Sequence, residues 1–165
     1  MKLNRKRFAI NLSTAGIFLA YAVEANAGTR PTSGYVKLTG AKSTPSLNPS
    51  PETLETTTLD ETVYKTYIDG LKDLGGALEF TFNLTEELVT QWNTLMTAYE
   101  TAKAAGKATW FTIVIPGLTN SFYFTGNPSA MGLPETSVSS VLEITNYITP
   151  TNAPASYAKP TITSA

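Results

Sequence analysis

Hydrophobic and polar residues alternate without exception over residues 77–84, ALEFTFNL, with Leu78, Phe80, Phe82 and Leu84 on one face and Glu79, Thr81 and Asn83 on the other. Successive side chains of a β-strand point to opposite faces, so this period predicts a strand with one oily and one wet face. The period then changes. Thr85 is placed to cap a helix, Glu86 and Glu87 suit its positive end, and Lys103 followed by Gly106 suits its other end. Between them Leu88, Trp92, Leu95, Met96, Tyr99 and Ala102 form one apolar stripe at helical spacing. Residues 86–105 are therefore predicted as an amphipathic helix laid on a sheet, its aromatic stripe serving as core. ATWFTIVI (108–115) is apolar on nearly both faces, as in a strand covered on both sides. Pro116-Gly117 turns it into SFYFTG (121–126), where Phe122 and Phe124 alternate with Tyr123 and Thr125 as the second strand of a hairpin. SVSSVLEITNYI (137–148) is predicted as the last strand.

The first third of the chain is less regular. In residues 15–23, Ile17, Leu19, Tyr21 and Val23 fall on one face, with Phe18 opposite beside the small Gly16, Ala20 and Ala22, a strand pattern. The same stretch follows the basic residues Lys2, Arg5, Lys6 and Arg7 and precedes Ala25-Asn26-Ala27, as in a secretory signal peptide cut after Ala27. Asn11, Ser13 and Thr14 inside the apolar run and Glu24 just before the cut oppose that reading. GYVKLTG (34–40) is a short strand candidate bounded by glycines. Pro45, Pro49 and Pro51 exclude a helix or a central strand from the long segment 41–61, although its threonine-rich part, LETTTLDE, suits one arm of a hairpin. Leu47, Leu54 and Leu59 are apolar anchors that a monomer would leave exposed on such a loop. VYKTYIDGLKDLGG (63–76) has glycine stops and no clean period, and is expected to be a short helical or irregular turn. Residues 150–165 form a Pro- and Thr-rich extension beyond a single domain spanning 1–149.

Composition removes most chemistry. The 165 residues contain no cysteine and no histidine, so disulfides, thiol catalysis, His-based catalysis and the usual zinc and copper ligands are excluded. From residue 8 onward eight basic side chains face thirteen acidic ones, an acidic body unsuited to wrapping nucleic acid. No apolar run approaches the ~20 residues that span a bilayer. LPETS (133–137) lacks the glycine, membrane segment and basic tail of a sortase signal and reads as a loop. Asp60-Glu61 and Asp69 with Asp73 lack the spacing of a calcium loop, and acidic loop residues are ordinarily solvated. No glycine-rich phosphate loop and no serine with a partner base is found, so neither a catalytic residue nor a cofactor or metal site is expected.

Taken in order, the stretches AVEANAGTRPTSGY, PSLNPSPETLETTTLDE and YIDGLKDLGG, followed by ITNYITPTNAPASY, resemble the tail tube proteins of long-tailed bacteriophages of Gram-positive hosts. The resemblance runs from about residue 13 to 150 and is one of overall pattern, with no diagnostic site. It implies a mainly β fold, a β-sandwich or barrel with one flanking helix, retained from its first residue. It also implies hexameric rings stacked into a hollow tube around a tape-measure protein, with tail terminator and baseplate proteins as further partners. DNA would pass through in transit only, in a virion tail assembled in the host cytoplasm. On this reading Glu79, Thr81 and Asn83, with Glu143 and Thr145 of the last strand, are candidates for the channel wall. Pro45, Leu47, Pro49, Pro51, Leu54 and Leu59 belong to a loop between subunits. The competing class is an exported β-domain, pilin-like or a surface binding module, cleaved after Ala27.

Overall fold

The structure, a computed structural model, describes residues 12–73 and 75–163. Its elements are β1 (Phe18–Val23), β2 (Tyr35–Leu38), β3 (Ala41–Ser43), β4 (Ser50–Glu55), β5 (Tyr67–Asp73), β6 (Leu78–Asn83), α1 (Glu86–Ala104), β7 (Thr109–Val114), β8 (Asn120–Pro128), β9 (Glu143–Pro150), β10 (Ala155–Ala158) and β11 (Ile162–Thr163). Nine strands form one sheet in the order β11-β2-β1-β7-β8-β9-β6-β3, with β10 also on β8, while β4 and β5 form a separate two-stranded ribbon. The fold is mainly β with a single helix, and the sheet curls into a half-barrel.

The curl is made at β8. Its first part pairs with β7 on one edge and β10 on the other, and Gly126 to Pro128 pair with β9. A Cβ at Gly126 would stand 2.7 Å from Ile148 Cγ2 and 3.0 Å from the Thr149 carbonyl oxygen, so only glycine lets the strands approach at this point. Residues 151–154 bulge between β9 and β10; Asn152 Oδ1 accepts from the Thr125 N–H at 2.8 Å, replacing the missing ladder bond.

Burial follows the predicted alternation. Leu78, Phe80 and Phe82 of β6 join Leu19, Tyr21, Phe111, Phe124, Ile144 and Ile148 against Leu88, Trp92 and Leu95 of α1. The helix is fixed by the Thr85 cap, whose Oγ1 accepts from Leu88 N at 3.2 Å, and by two bonds to the body. Gln91 Oε1 accepts from Thr39 N at 2.9 Å, and Trp92 Nε1 donates to the Ser129 carbonyl at 3.0 Å. Met96 of the predicted stripe is only partly buried. On the sheet's other face Ala20, Ala22, Tyr35 and Tyr123 form a second, smaller cluster. β1 is thus covered on both faces and hydrogen-bonded to β2 and β7 on both edges. A cut after Ala27 would remove a central strand.

Two polar clamps hold the edges. Glu24, 5% exposed at the end of β1, accepts from Gly28 N (2.9 Å), Ala108 N (3.1 Å) and Trp110 Nε1 (2.9 Å). Burial by itself would raise this carboxyl's pKa; the hydrogen bonds from Trp110, Ala108 and Gly28 and the charge of Lys107 together outweigh it and hold it below the ordinary value. Arg30 lies against two rings that also touch each other edge-on, its Cζ 4.8 Å from the Tyr123 centroid and 4.4 Å from that of Tyr157 on β10.

Several expectations require correction. Residues 67–73, read as a helical or irregular turn, are β5, in register with β4 through Leu54↔Ile68 and Glu55↔Tyr67. The segment 41–61 is not one irregular loop: Ala41–Ser43 joins β6, and Ser50–Glu55 is a strand containing Pro51. A two-stranded ribbon has open outer edges, where a residue lacking an N–H is tolerated. Only the start of the threonine-rich stretch belongs to that strand. The last predicted strand begins at Glu143 rather than 137, because its partner β6 ends at Asn83, opposite Glu143. Residues 155–163, read as an extension without pattern, add β10 to β8 and β11 to β2. The first strand is shorter than the predicted 15–23, and the basic residues Lys2 to Arg7 lie outside the described residues.

Candidate functional site

Two surfaces stand out once the core is accounted for. The first is the outward face of β6 and β9. Their antiparallel register sets Thr81 opposite Thr145 and Asn83 opposite Glu143, with Glu79 opposite Tyr147. All five residues singled out in the sequence for the channel wall therefore lie on one continuous patch of adjacent strands. Thr81 Oγ1 and Thr145 Oγ1 are 3.3 Å apart, and Ser43 of β3 continues the row beside Thr81. Glu79 is exposed, whereas Thr81, Asn83, Glu143 and Thr145 are half-buried. Lys42 forms an ion pair with Glu143, so the patch is less acidic than its strands alone suggest. Lys42 was missed in the sequence because β3 was not foreseen. Asn83 Oδ1 is buried without a hydrogen-bond partner.

The second surface is the β4–β5 ribbon. Opposed residues of an antiparallel pair share a face, so Leu54 and Ile68 lie together on one side while Tyr67 and Asp69 alternate onto the other; the register shifts between Asp69 and Lys72, where Leu71 stands. Leu54, Tyr67 and Ile68 are about half exposed, and Leu71 is 84% exposed. The connecting residues add Leu59, Val63 and Tyr64, all exposed. Lys65 pairs with Glu55 at 3.0 Å and Thr56 with Thr66, which keeps the two limbs together. Among the described residues no other strand pairs with this arm. It leaves the body where Pro49, Lys72 and Asp73 line a cleft with Thr149 to Pro154.

Of the six loop residues singled out in the sequence, the structure divides the set. Leu54 and Leu59 are exposed on the arm, and Pro51 is in its first strand. Pro45 and Pro49 are half-buried, and Leu47 packs against the chain's own core, so it is not the exposed anchor expected. Tyr67, Ile68 and Leu71 were not foreseen as part of the same surface. Without burial on either face their stretch carries no clean period, so it gave no strand signal. Among the described residues no group of three or more acidic side chains is arranged to hold a metal ion.

No family model matches this chain, and no curated protein matches it by sequence. Among solved structures it is similar to a chain in the cryo-EM structure of the anti-feeding prophage baseplate, six-fold symmetrised. The similarity has a TM-score of 0.60 and 9% identity, and covers 92% of this chain and 98% of that one. At that identity the two share a fold.

Proposed function

We propose that this protein is a structural component of a phage-type tail, a virion protein that associates with copies of itself as stacked hexameric rings forming the tube through which the genome leaves. The observation that carries the reading is the β4–β5 arm: a ribbon with exposed apolar side chains on both faces, to which no other strand among the described residues is paired. Exposed apolar area of this kind marks a surface that is buried in an assembly. Support comes also from the fold, shared along nearly the whole of both chains with a component of a six-fold symmetrised baseplate. The role is mechanical rather than catalytic. Tape-measure, terminator and baseplate proteins are the partners that the tail-tube resemblance implies, and the β6–β9 face is the proposed channel wall. The exported-domain reading is disfavoured because its cleavage would remove β1 from between β2 and β7.

Electron microscopy of the purified protein tests this. Stacked rings with an open centre are expected from the intact chain. A variant with residues 50–73 replaced by a Gly-Ser linker should be a folded monomer. An intact chain that remains monomeric at all concentrations, or an armless variant that assembles normally, would overturn the proposal.

A further inference from the structure

The arm's charge points to what receives it. Residues 50–73 carry Glu52, Glu55, Asp60, Glu61, Asp69 and Asp73 against Lys65 and Lys72, a net charge of −4. Apart from Glu55, which Lys65 engages, no ion pair with these carboxylates is formed among the described residues. The remaining basic residues of the body are spread over several elements. The one concentrated block of opposite sign is Lys2, Arg5, Lys6 and Arg7, a charge of +4 within six residues, followed by Phe8 and Ile10. An acidic ribbon with exposed Leu54, Ile68, Tyr67 and Leu71 and a basic segment leading into two large apolar residues are complementary in both respects.

Resting on the assembly reading above, we infer that the acidic β4–β5 arm of one copy docks on the basic segment 2–10 of a neighbouring copy. The arm and the segment 2–10 are different parts of the chain. The chain enters the described structure at Leu12, whose Cδ2 lies 3.0 Å from where a Gly117 Cβ would stand, in the β7–β8 turn. The arm leaves beside Thr149–Pro154, where β9 passes into β10. A contact joining two different patches of identical chains is heterologous, and it propagates into rings or filaments instead of stopping at a dimer. Steering by opposite charges also makes the contact salt-dependent.

Charge reversal with mixing tests the inference. One variant carries Glu52→Lys, Glu61→Lys and Asp69→Lys; a second carries Lys2→Glu, Arg5→Glu and Lys6→Glu; a third carries all six. Circular dichroism melts check that each is folded, and sedimentation velocity at low and high salt reads association. The intact chain should associate at low salt and dissociate at high salt, and each single-sided variant should associate at least roughly tenfold more weakly. The six-fold variant should recover, and so should an equimolar mixture of the two single-sided variants, since each then supplies the patch that the other needs. Recovery in the six-fold variant without recovery in the mixture would mean that the segment binds its own arm, and would overturn the inference. So would association unchanged by either reversal, which leaves the assembly reading standing. Loss of duplex DNA binding, read by fluorescence anisotropy, as the only effect of the second variant would assign the segment to nucleic acid instead. An intact chain that never associates would remove the assembly reading and this inference together.

Discussion

Replacing Glu24 by glutamine changes one atom's identity at the junction of β1 with the α1–β7 connection, and its cost can be worked out from the geometry. The carboxylate receives three N–H donors: Gly28 and Ala108 at Oε2, and Trp110 at Oε1. A glutamine has one acceptor oxygen. Turned toward Gly28 and Ala108, it leaves the Trp110 N–H facing an NH2 group; turned the other way, it abandons two backbone donors. In the better orientation two charge-assisted bonds become neutral and one donor loses its partner, together about 3 kcal/mol. For a chain of this size that corresponds to a melting temperature lowered by roughly 6–12 °C at pH 7. The pH dependence has a definite sign. Because the folded-state pKa is depressed, the carboxylate's contribution is fully present above the unfolded value of about 4.3 and is lost as pH falls through the folded one. The gap between wild type and Glu24→Gln should therefore narrow as pH falls below the unfolded value and close once pH has fallen through the depressed folded one, where the protonated carboxyl also has one donor and one acceptor. Melts followed by circular dichroism across pH measure both effects, with Trp110 fluorescence as a local reporter. Equal melting temperatures at pH 7, or a gap that persists undiminished in acid, would refute the reasoning.

Deleting residues 1–27 removes β1, including the buried Leu19, Ala20, Tyr21 and Ala22 and ladder bonds on both edges, so the truncated chain should lose its cooperative melt; an unchanged melt would contradict the central place of β1. Arg30→Ala takes away a cation that touches both Tyr123 and Tyr157, worth roughly 1–2 kcal/mol, and should speed hydrogen exchange in residues 155–163; unaltered exchange there would show that this contact does not hold β10. Glu79→Lys with Glu143→Lys puts positive charge on the proposed channel wall and removes the partner of Lys42, an exposed pair worth under ~1 kcal/mol. Tubes should still form while DNA delivery slows and becomes salt-dependent; normal delivery by virions carrying both changes would exclude this face as the wall.

What could be read in the sequence was whatever the body buries. β6 has one side in the core and the other in water, so its period of two is unbroken, and α1 has a cap, charged ends and a stripe that all agree. β7, covered on both faces, was recognisable by having no charged residue and large apolar residues on both sides. The arm had no such signature, because neither of its faces is in the core, and Gly70 with Gly75-Gly76 looked like stops. At Gly70 a side chain would meet Glu52 Cβ and its carbonyl oxygen at 3.1 Å, so that glycine belongs to the ribbon instead of ending it. β10 and β11 depend on contacts with Arg30, Tyr123 and Tyr35, distant in sequence, and their own residues carry little pattern. Residues 137–142 contain Val138, Val141 and Leu142 and looked like part of a strand, yet the ladder with β6 ends at Glu143, with one further bond from Leu84 N to the Leu142 carbonyl; Ser139, at φ 62, is in a turn. The polar wall patch was legible strand by strand, but its assembly depended on the β6–β9 register and on Lys42.

The separateness of the β4–β5 ribbon has a kinetic consequence. A two-stranded hairpin without a sheet or helix to lean on is only marginally stable in water, so the body lends little to its order. If the ribbon is fixed by its neighbour, the first subunits to meet bear the entropy of fixing it while gaining few contacts, and later arrivals join a surface already formed. Growth of this kind has a lag, a threshold concentration and sensitivity to seeds, so free subunits can accumulate without polymerising until a preformed end is offered. On the proposed function, a chain that leaves this segment half-committed would separate the time of its synthesis from the time of its use.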